Sequence, residues 1–147
     1  MKLVYSVPIG FSSAAAIFLG INYGLWLAFQ VEKTGIKRDS KSVEIGDFVS
    51  PFKVVKYEKR KKGDGANMII SQPLSSSEFL YDFGNNDIVD MVSNSDLELK
   101  RETPGTEGLF QRADEAWKEY KTRLNVEGIL AQGDAQEYPD YSKEFHF

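Results

Sequence analysis

The sequence predicts a single-pass membrane protein, with one transmembrane α-helix followed by a small, loop-rich α+β tail. The stretch Leu3–Val31 contains no Asp, Glu, Lys or Arg, although 27% of the 147 residues are charged. A charge-free apolar segment of about 20 residues is typical of a membrane span rather than of a core helix. No second stretch of this kind follows, which excludes a polytopic channel, and the rest of the chain is enough for at most one small domain.

Changes in composition divide the chain into five segments. They are a membrane anchor (1–31), a basic juxtamembrane segment with the first strand of a hairpin (32–62), mixed short elements (63–102), an amphipathic helix (103–132) and an extended aromatic tail (133–147).

The anchor is predicted to run from Pro8 to Gln30, because Pro is well suited to the first turn of a helix. At 1.5 Å per residue these residues span about 35 Å, which covers a hydrocarbon layer of about 30 Å with some tilt. Tyr23, Trp26 and Phe29 lie near the C-terminal end of the run, and aromatic rings prefer the membrane interface.

A cleaved secretory signal is the alternative interpretation of this segment. Lys2 provides a positive start, and Ser13–Ala16 resembles a cleavage site. The apolar run is longer than the roughly 7–15 residues of a signal sequence, so a retained anchor is favoured.

Flanking basic residues predict the orientation of the anchor and its lipid contacts. The segment 32–62 has ten Lys or Arg against five acidic residues, whereas 63–147 has seven against seventeen. The positive-inside rule therefore places the tail on the cytosol, matrix or stroma side. Four basic residues close to the span are predicted to contact lipid headgroups: Lys33, Lys37, Arg38 and Lys41.

Small residues recur every four positions along the predicted span, which places them on one face of the helix. They are Ser12, Ala16, Gly20, Gly24 and Ala28. Such a stripe lets a second helix approach closely, and Asn22 is positioned to hydrogen-bond that neighbour. A chance run of Ala and Gly, and a headgroup contact for Asn22, are the alternatives.

The middle of the tail predicts one β-hairpin and short helices. Residues 52–59 and 66–71 are rich in strand-forming residues and flank a Gly-Asp-Gly turn. Ser75 and Glu78 match a capping box, which predicts a short helix, and Asn86 or Asp87 is predicted to cap another turn. The basic residues near the hairpin turn are assigned to headgroups or solvent, and no nucleic-acid partner is expected because the tail is acidic overall.

Residues 103–132 predict the clearest helix of the tail. Thr103 and Pro104 match its N-cap and first residue, and Gly128 or Gly133 is expected to end it. Its apolar face is predicted to dock partly on partner subunits, because the tail's own core is expected to be thin. The predicted partner-binding residues on this face are Leu109, Phe110, Trp117 and Tyr120.

The C-terminal segment adds four aromatic residues to the predicted partner surface: Tyr138, Tyr141, Phe145 and Phe147. We expect them to lie in a groove on a partner, and folding back onto the chain's own helix is the alternative.

The residue inventory disfavours an enzyme. The chain has no Cys, and its single His is His146, so thiolate catalysis and metal sites with paired imidazoles are excluded. We predict no catalytic residues, metal or cofactor, and peripheral contact with lipid or pigment is the alternative. An enzyme that uses carboxylates such as Asp87, Asp90 or Glu115 is the remaining alternative.

The predicted function is therefore binding. We expect a non-catalytic accessory subunit of a multisubunit membrane complex, because subunits of respiratory-chain and photosystem complexes share this general build. The mitochondrial inner membrane is favoured, with the thylakoid membrane second. The alternative is a membrane-anchored module that recruits a soluble partner.

Overall fold

The computed structural model describes residues 2–63 and 65–133, with side chains for 13–63 and 65–132. An N-terminal helix α1 (Lys2–Val31) precedes one antiparallel sheet, and helices α2 (Glu107–Arg123) and α3 (Val126–Gly133) follow it. The strands are β1 (Gly35–Arg38), β2 (Ser42–Ser50), β3 (Lys53–Arg60), β4 (Ala66–Ser71), β5 (Glu78–Asp82), β6 (Met91–Ser93) and β7 (Glu98–Lys100).

The sheet is a meander, in which each strand pairs with the next one along the chain. The expected pairing of 52–59 with 66–71 is present as β3 and β4, with Tyr57 opposite Met68. Gly63 and Gly65 both have positive φ in the connecting turn, a conformation that glycine adopts without strain. The tail is an α+β unit, as predicted, but the predicted hairpin lies within a seven-stranded sheet, so the tail contains more strand than the one short hairpin expected.

The short helix predicted after Ser75 was also wrong, because that segment is β5. Successive side chains of a strand alternate between the two faces of the sheet. Leu80 and Asp82 are buried on one face, while Phe79 and Tyr81 lie on the other. The capped turn predicted at Asn86 or Asp87 is a loop that leads into β6.

Helix α2 is shorter than the predicted helix 103–132. It begins after Thr106 rather than at Thr103, and the Thr106 hydroxyl donates to the Thr103 carbonyl. It ends at Arg123, because Asn125 adopts a positive φ that interrupts the helical backbone. Gly128 therefore lies inside α3 rather than ending α2.

A core of fifteen buried residues lies between α2, the start of α3 and one face of the sheet. Trp117 is fully buried, and its ring meets Tyr57 of β3 edge-on with centroids 5.8 Å apart. The tail thus has a core of its own, larger than the thin core expected from its composition.

Helix α1 is the one helix of the described chain that is long and apolar enough to cross a membrane. Only 6% of the residues in its qualifying stretch, within Ser13–Val31, are buried. Its C-terminal turns pack against the sheet face opposite α2, where Gly46 and Val54 are buried outside the main core.

Candidate membrane junction and binding pocket

The C-terminal part of α1 meets the turn between β2 and β3 at Tyr23, eight residues before the helix ends. We call residues 50–53 the β2–β3 tip. The Tyr23 hydroxyl donates a hydrogen bond of 2.7 Å to the Pro51 carbonyl, and the rings of Tyr23 and Phe52 lie 5.2 Å apart. Trp26 contacts Phe48 of β2 edge-on at 6.4 Å between centroids. These contacts fix the sheet beside the helix at the level of Tyr23.

Close packing continues from Trp26 into the link between α1 and β1. A Cβ on Gly46 would lie 2.4 Å from the carbonyl oxygen of Lys33, so only glycine allows the chain to pass this close to β2. Gln30 is 5% exposed, and its Oε1 and the Trp26 Nε1 lack hydrogen-bond partners among the described atoms. The junction therefore buries polar atoms, which costs stability unless a further group satisfies them.

The predicted small-residue stripe is open along α1. Ala16, Gly20, Gly24 and Ala28 are exposed, and a Cβ built on Gly20 or Gly24 would meet nothing within 4 Å. The Ser12 side chain lies outside the described part. Asn22 donates to the Phe18 carbonyl of its own helix at 2.7 Å, so its amide nitrogen already has one partner.

Two of the four predicted headgroup residues bind the chain itself. Lys37 donates to the Glu32 carbonyl at 2.8 Å, and Arg38 donates to the Ile129 carbonyl of α3 at 2.9 Å. The Lys33 and Lys41 side chains are exposed. Lys53, which was not among the four, lies at the β2–β3 tip and donates to the Tyr120 hydroxyl at 3.0 Å.

Three of the residues predicted to bind a partner belong to the chain's own core. Phe110, Trp117 and Tyr120 are buried against the sheet, so docking of this face on another subunit is corrected to packing within the tail. The 3.6-residue spacing that identified the face does not distinguish an internal cover from an external one. Tyr138, Tyr141, Phe145 and Phe147 lie outside the described residues.

Leu109, the fourth residue of that face, lines an open pocket of about 390 Å³. The pocket lies between the N-terminal half of α2 and strands β5–β7, and among its lining residues only Glu78 and Arg112 are charged. The apolar lining includes Ile70, Leu80, Val92, Leu97, Leu99, Leu109, Ala113 and Ala116. A mostly apolar pocket of this size suits a hydrophobic side chain or a small apolar ligand.

A polar cluster lies at the other end of α2. Asp87 accepts hydrogen bonds from Lys121 at 2.7 Å and from the Trp117 indole at 3.1 Å, and Lys121 also pairs with Glu127 at 2.8 Å. Partial burial alone would raise the pKa of Asp87, but the bonds from Lys121 and Trp117 outweigh it and lower the pKa. Burial alone would lower the pKa of Lys121, but its two carboxylate partners outweigh it and raise the pKa.

The carboxylates considered for catalysis have structural partners. Asp87 belongs to the cluster just described, and a lowered pKa is the opposite of what a general acid needs. Asp90 accepts the backbone N–H of Phe83 at 2.8 Å, and Glu115 lies on the exposed side of α2 near Gln111. No group of three or more metal-ligating side chains occurs within residues 2–63 and 65–133.

The sheet face opposite α2 bears an aromatic row that the sequence-based interpretation missed. The rings of Phe79, Tyr81 and Phe83 stack in order, with centroids 6.4 and 5.9 Å apart. Ile69 lies directly across from Phe79 in the register. The signal was the alternation of aromatic residues at 79, 81 and 83, which is typical of one face of a strand.

Comparison of the chain with protein-family models, curated proteins and solved structures finds no match.

Proposed function

We propose that the chain is a single-pass membrane protein and a non-catalytic subunit of a multisubunit membrane complex. Its sheet domain, formed by β1–β7 with α2 and α3, binds other proteins. The observation that supports this most strongly is the surface of α1. Large apolar side chains are more than half exposed along it, including Ile17, Phe18 and Ile21. A contiguous apolar surface of this extent needs a cover, and lipid and neighbouring spans are the covers that suit a charge-free helix.

A soluble core helix and a signal sequence both fit the geometry of α1 less well than a membrane anchor does. A core helix of a soluble protein is mostly buried, whereas only 6% of the residues in the apolar stretch of α1 are buried. A signal sequence needs only a short apolar region, whereas α1 is 30 residues long and its end is packed into the sheet by Tyr23, Trp26 and Gln30. Cleavage at Ser13–Ala16 would leave the exposed part of the helix attached to the folded domain.

Partner contacts follow from the surfaces left open. The stripe of Ala16, Gly20, Gly24 and Ala28 suits a neighbouring membrane helix. The aromatic row on β5 and the pocket lined by Leu109 suit apolar side chains of soluble parts of a partner. We place the sheet domain on the cytosol, matrix or stroma side. Subunits of one complex could then contact both the small-residue stripe within the membrane and the apolar surfaces of the sheet domain outside it.

The complex we favour is an energy-transducing one, by analogy of architecture with accessory subunits of respiratory chains and photosystems. The mitochondrial inner membrane is our first assignment and the thylakoid membrane our second. Binding at the surfaces above is the proposed activity.

A second candidate is an anchored module that recruits a soluble partner. The self-contained core of the sheet domain favours it, because a domain that is stable by itself does not need subunits to complete its fold. This candidate predicts a free monomeric span and a partner that occupies the pocket.

Native electrophoresis after extraction of the source membrane with a mild detergent separates the two candidates. We expect a large assembly, and we expect the Gly20→Leu/Gly24→Leu variant to lose it because bulky side chains block close approach of another helix. The matched control is Ile17→Leu/Ile21→Leu, which changes exposed residues without filling the stripe. Migration of the unaltered chain only as a monomer would contradict the subunit proposal and leave the anchored module.

A further inference from the structure

We propose that the β2–β3 tip is a second membrane contact, and that it sets the depth of α1 so that the hydrocarbon boundary falls at Tyr23 rather than at Gln30. The proposal rests on the function proposed above, in which α1 spans a bilayer. It assigns the exposed ring of Phe52 to the lipid interface.

Helix α1 is longer than a hydrocarbon layer is thick, so its depth in the bilayer is not determined by its length. Its 30 residues extend for about 45 Å at 1.5 Å per residue, whereas a hydrocarbon layer is about 30 Å thick. Roughly ten residues therefore lie outside the hydrocarbon, and the sequence alone places most of them before Pro8. The sheet domain supplies an independent constraint, because it is attached partway along the helix.

That attachment lies well before the end of α1. The hydrogen bond from Tyr23 to the Pro51 carbonyl and the ring contact with Phe52 hold the tip beside Tyr23. Tyr23 precedes Gln30 by seven residues, or about 10 Å along the helix axis. A boundary at Gln30 would therefore submerge the tip by about that depth.

Submerging the tip conflicts with its chemistry. Irregular backbone exposed to lipid leaves peptide groups without partners, and bilayers exclude such structure. Lys53 would enter the hydrocarbon as well, and its ammonium group is engaged by the Tyr120 hydroxyl on the sheet domain. The exposed Asp47, in the part of β2 that approaches the tip, would follow.

A boundary at Tyr23 removes these conflicts. The span then runs from Leu3 to Tyr23, 21 residues or about 32 Å, which matches the hydrocarbon thickness and leaves Lys2 at the opposite boundary. Tyr23, Trp26 and Phe52 form an aromatic cluster at the interface, where such rings are favoured. Phe52, 61% exposed on the protein, is then covered by lipid.

The absence of cysteine from the sequence makes a direct test possible, since single-cysteine variants need no other change. The full chain is reconstituted in phospholipid vesicles with a nitroxide label at one position, and the accessibility of the label to oxygen and to a water-soluble nickel complex is measured. Ile17→Cys serves as the reference within the span, and Lys62→Cys, beyond the far end of β3, serves as the reference in water. We expect Phe52→Cys to fall between the two references, with a clear shift towards oxygen relative to Lys62→Cys.

The outcomes separate this proposal from the one it rests on. A label at position 52 that matches Lys62→Cys overturns the tip contact while the span stands, and one as deep as Ile17→Cys overturns the boundary at Tyr23. A water-exposed label at Ile17→Cys would overturn the membrane anchor itself. Because Phe52→Cys removes the ring under test, Ser50→Cys repeats the measurement with Phe52 intact and is expected to give the same interfacial depth.

Discussion

Helices α1 and α2 differ in where their apolar side chains lie. In α2 the rings of Phe110 and Trp117 are buried against the sheet, although the helix is rich in charged residues. In α1, which has no charged residue after Lys2, Ile17 is 63% exposed. The difference shows that burial depends on a matching surface rather than on apolar content. The chain supplies that surface for α2, and the membrane and its proteins are proposed to supply it for α1.

The largest effect is expected from removing the main core side chain of α2. Trp117→Ala should lower the free energy of unfolding by about 3–5 kcal/mol, because it leaves a cavity beside Tyr57 and removes the indole donor from Asp87. The measurement is urea unfolding of the full chain in mild detergent, with the circular dichroism signal of the sheet as the readout. Leu97→Ala, at a side chain that is more than half exposed, should change the value by less than about 0.5 kcal/mol. Equal effects of the two variants would show that α2 is not the cover of the sheet.

A charge on α1 should have the next largest effect, and on a different property. Ile17→Arg should weaken membrane insertion by about 2.5–3.5 kcal/mol, since position 17 lies near the middle of the span. The measurement is the fraction of the chain that resists alkaline extraction from membranes. Leu97→Arg adds the same charge to an exposed apolar site of the sheet domain and should leave that fraction unchanged. Full retention of Ile17→Arg would mean that lipid does not cover this side of α1.

The elements that the sequence predicted are those with a strong local signal. The charge-free run Leu3–Val31 coincides with α1, and the apolar spacing from Leu109 to Leu124 coincides with α2. The pairing of β3 with β4 follows from adjacent strand-like runs around the glycine turn. In each case, neighbouring residues determine the outcome.

The elements that the sequence missed depend on partners distant in the chain. Ser75 and Glu78 match a helix cap, yet pairing on both sides makes Glu78–Asp82 a strand. The contact between α1 and the β2–β3 tip joins Tyr23 to Pro51 across 28 residues, and the polar cluster joins Asp87 to Lys121 across 34 residues. Periodicity does not identify such pairs. It also identified the apolar face of α2 without showing that the chain's own sheet covers it.

Two glycine-to-alanine substitutions, one on β2 where α1 leads into the sheet and one in α2, are expected to change stability in opposite directions. Gly46→Ala should destabilise the chain by about 1–3 kcal/mol, because its Cβ would meet the Lys33 carbonyl oxygen at 2.4 Å and push the link between α1 and β1 off β2. Gly108→Ala makes the same change in the first turn of α2, where a Cβ meets nothing within 4 Å. It should stabilise the chain by about 0.4–1 kcal/mol, since Ala restricts the unfolded state. Urea unfolding measures both, and a neutral Gly46→Ala would show that the link between α1 and β1 does not pack closely on β2.

The smallest effect is expected at alkaline pH, from ionisation of the Tyr57 hydroxyl that α2 covers. Burial raises the pKa of Tyr57 from 10.0 to about 12, and the Lys121 ammonium opposes this shift without cancelling it. A raised pKa means that the stability contribution is complete below pH 10 and is lost as pH rises towards 12. Between pH 8 and pH 11 the free energy of unfolding should therefore fall by roughly 1 kcal/mol on account of Tyr57.

Tyr57→Phe isolates this contribution, because the ring stays in the core while the ionisable hydroxyl is removed. Its unfolding free energy should fall less between pH 8 and pH 11 than that of the unaltered chain. Lys121, whose pKa is raised by Asp87 and Glu127, also loses its contribution at alkaline pH, so part of the fall should remain in the variant. Tyr81→Phe makes the same change on the opposite face of the sheet, where the side chain is only half-buried, and should keep the full decrease. Identical pH profiles for Tyr57→Phe and Tyr81→Phe would show that water reaches Tyr57 between α2 and the sheet. Helix α2 would then cover the sheet less completely, and its burial would differ less from that of α1.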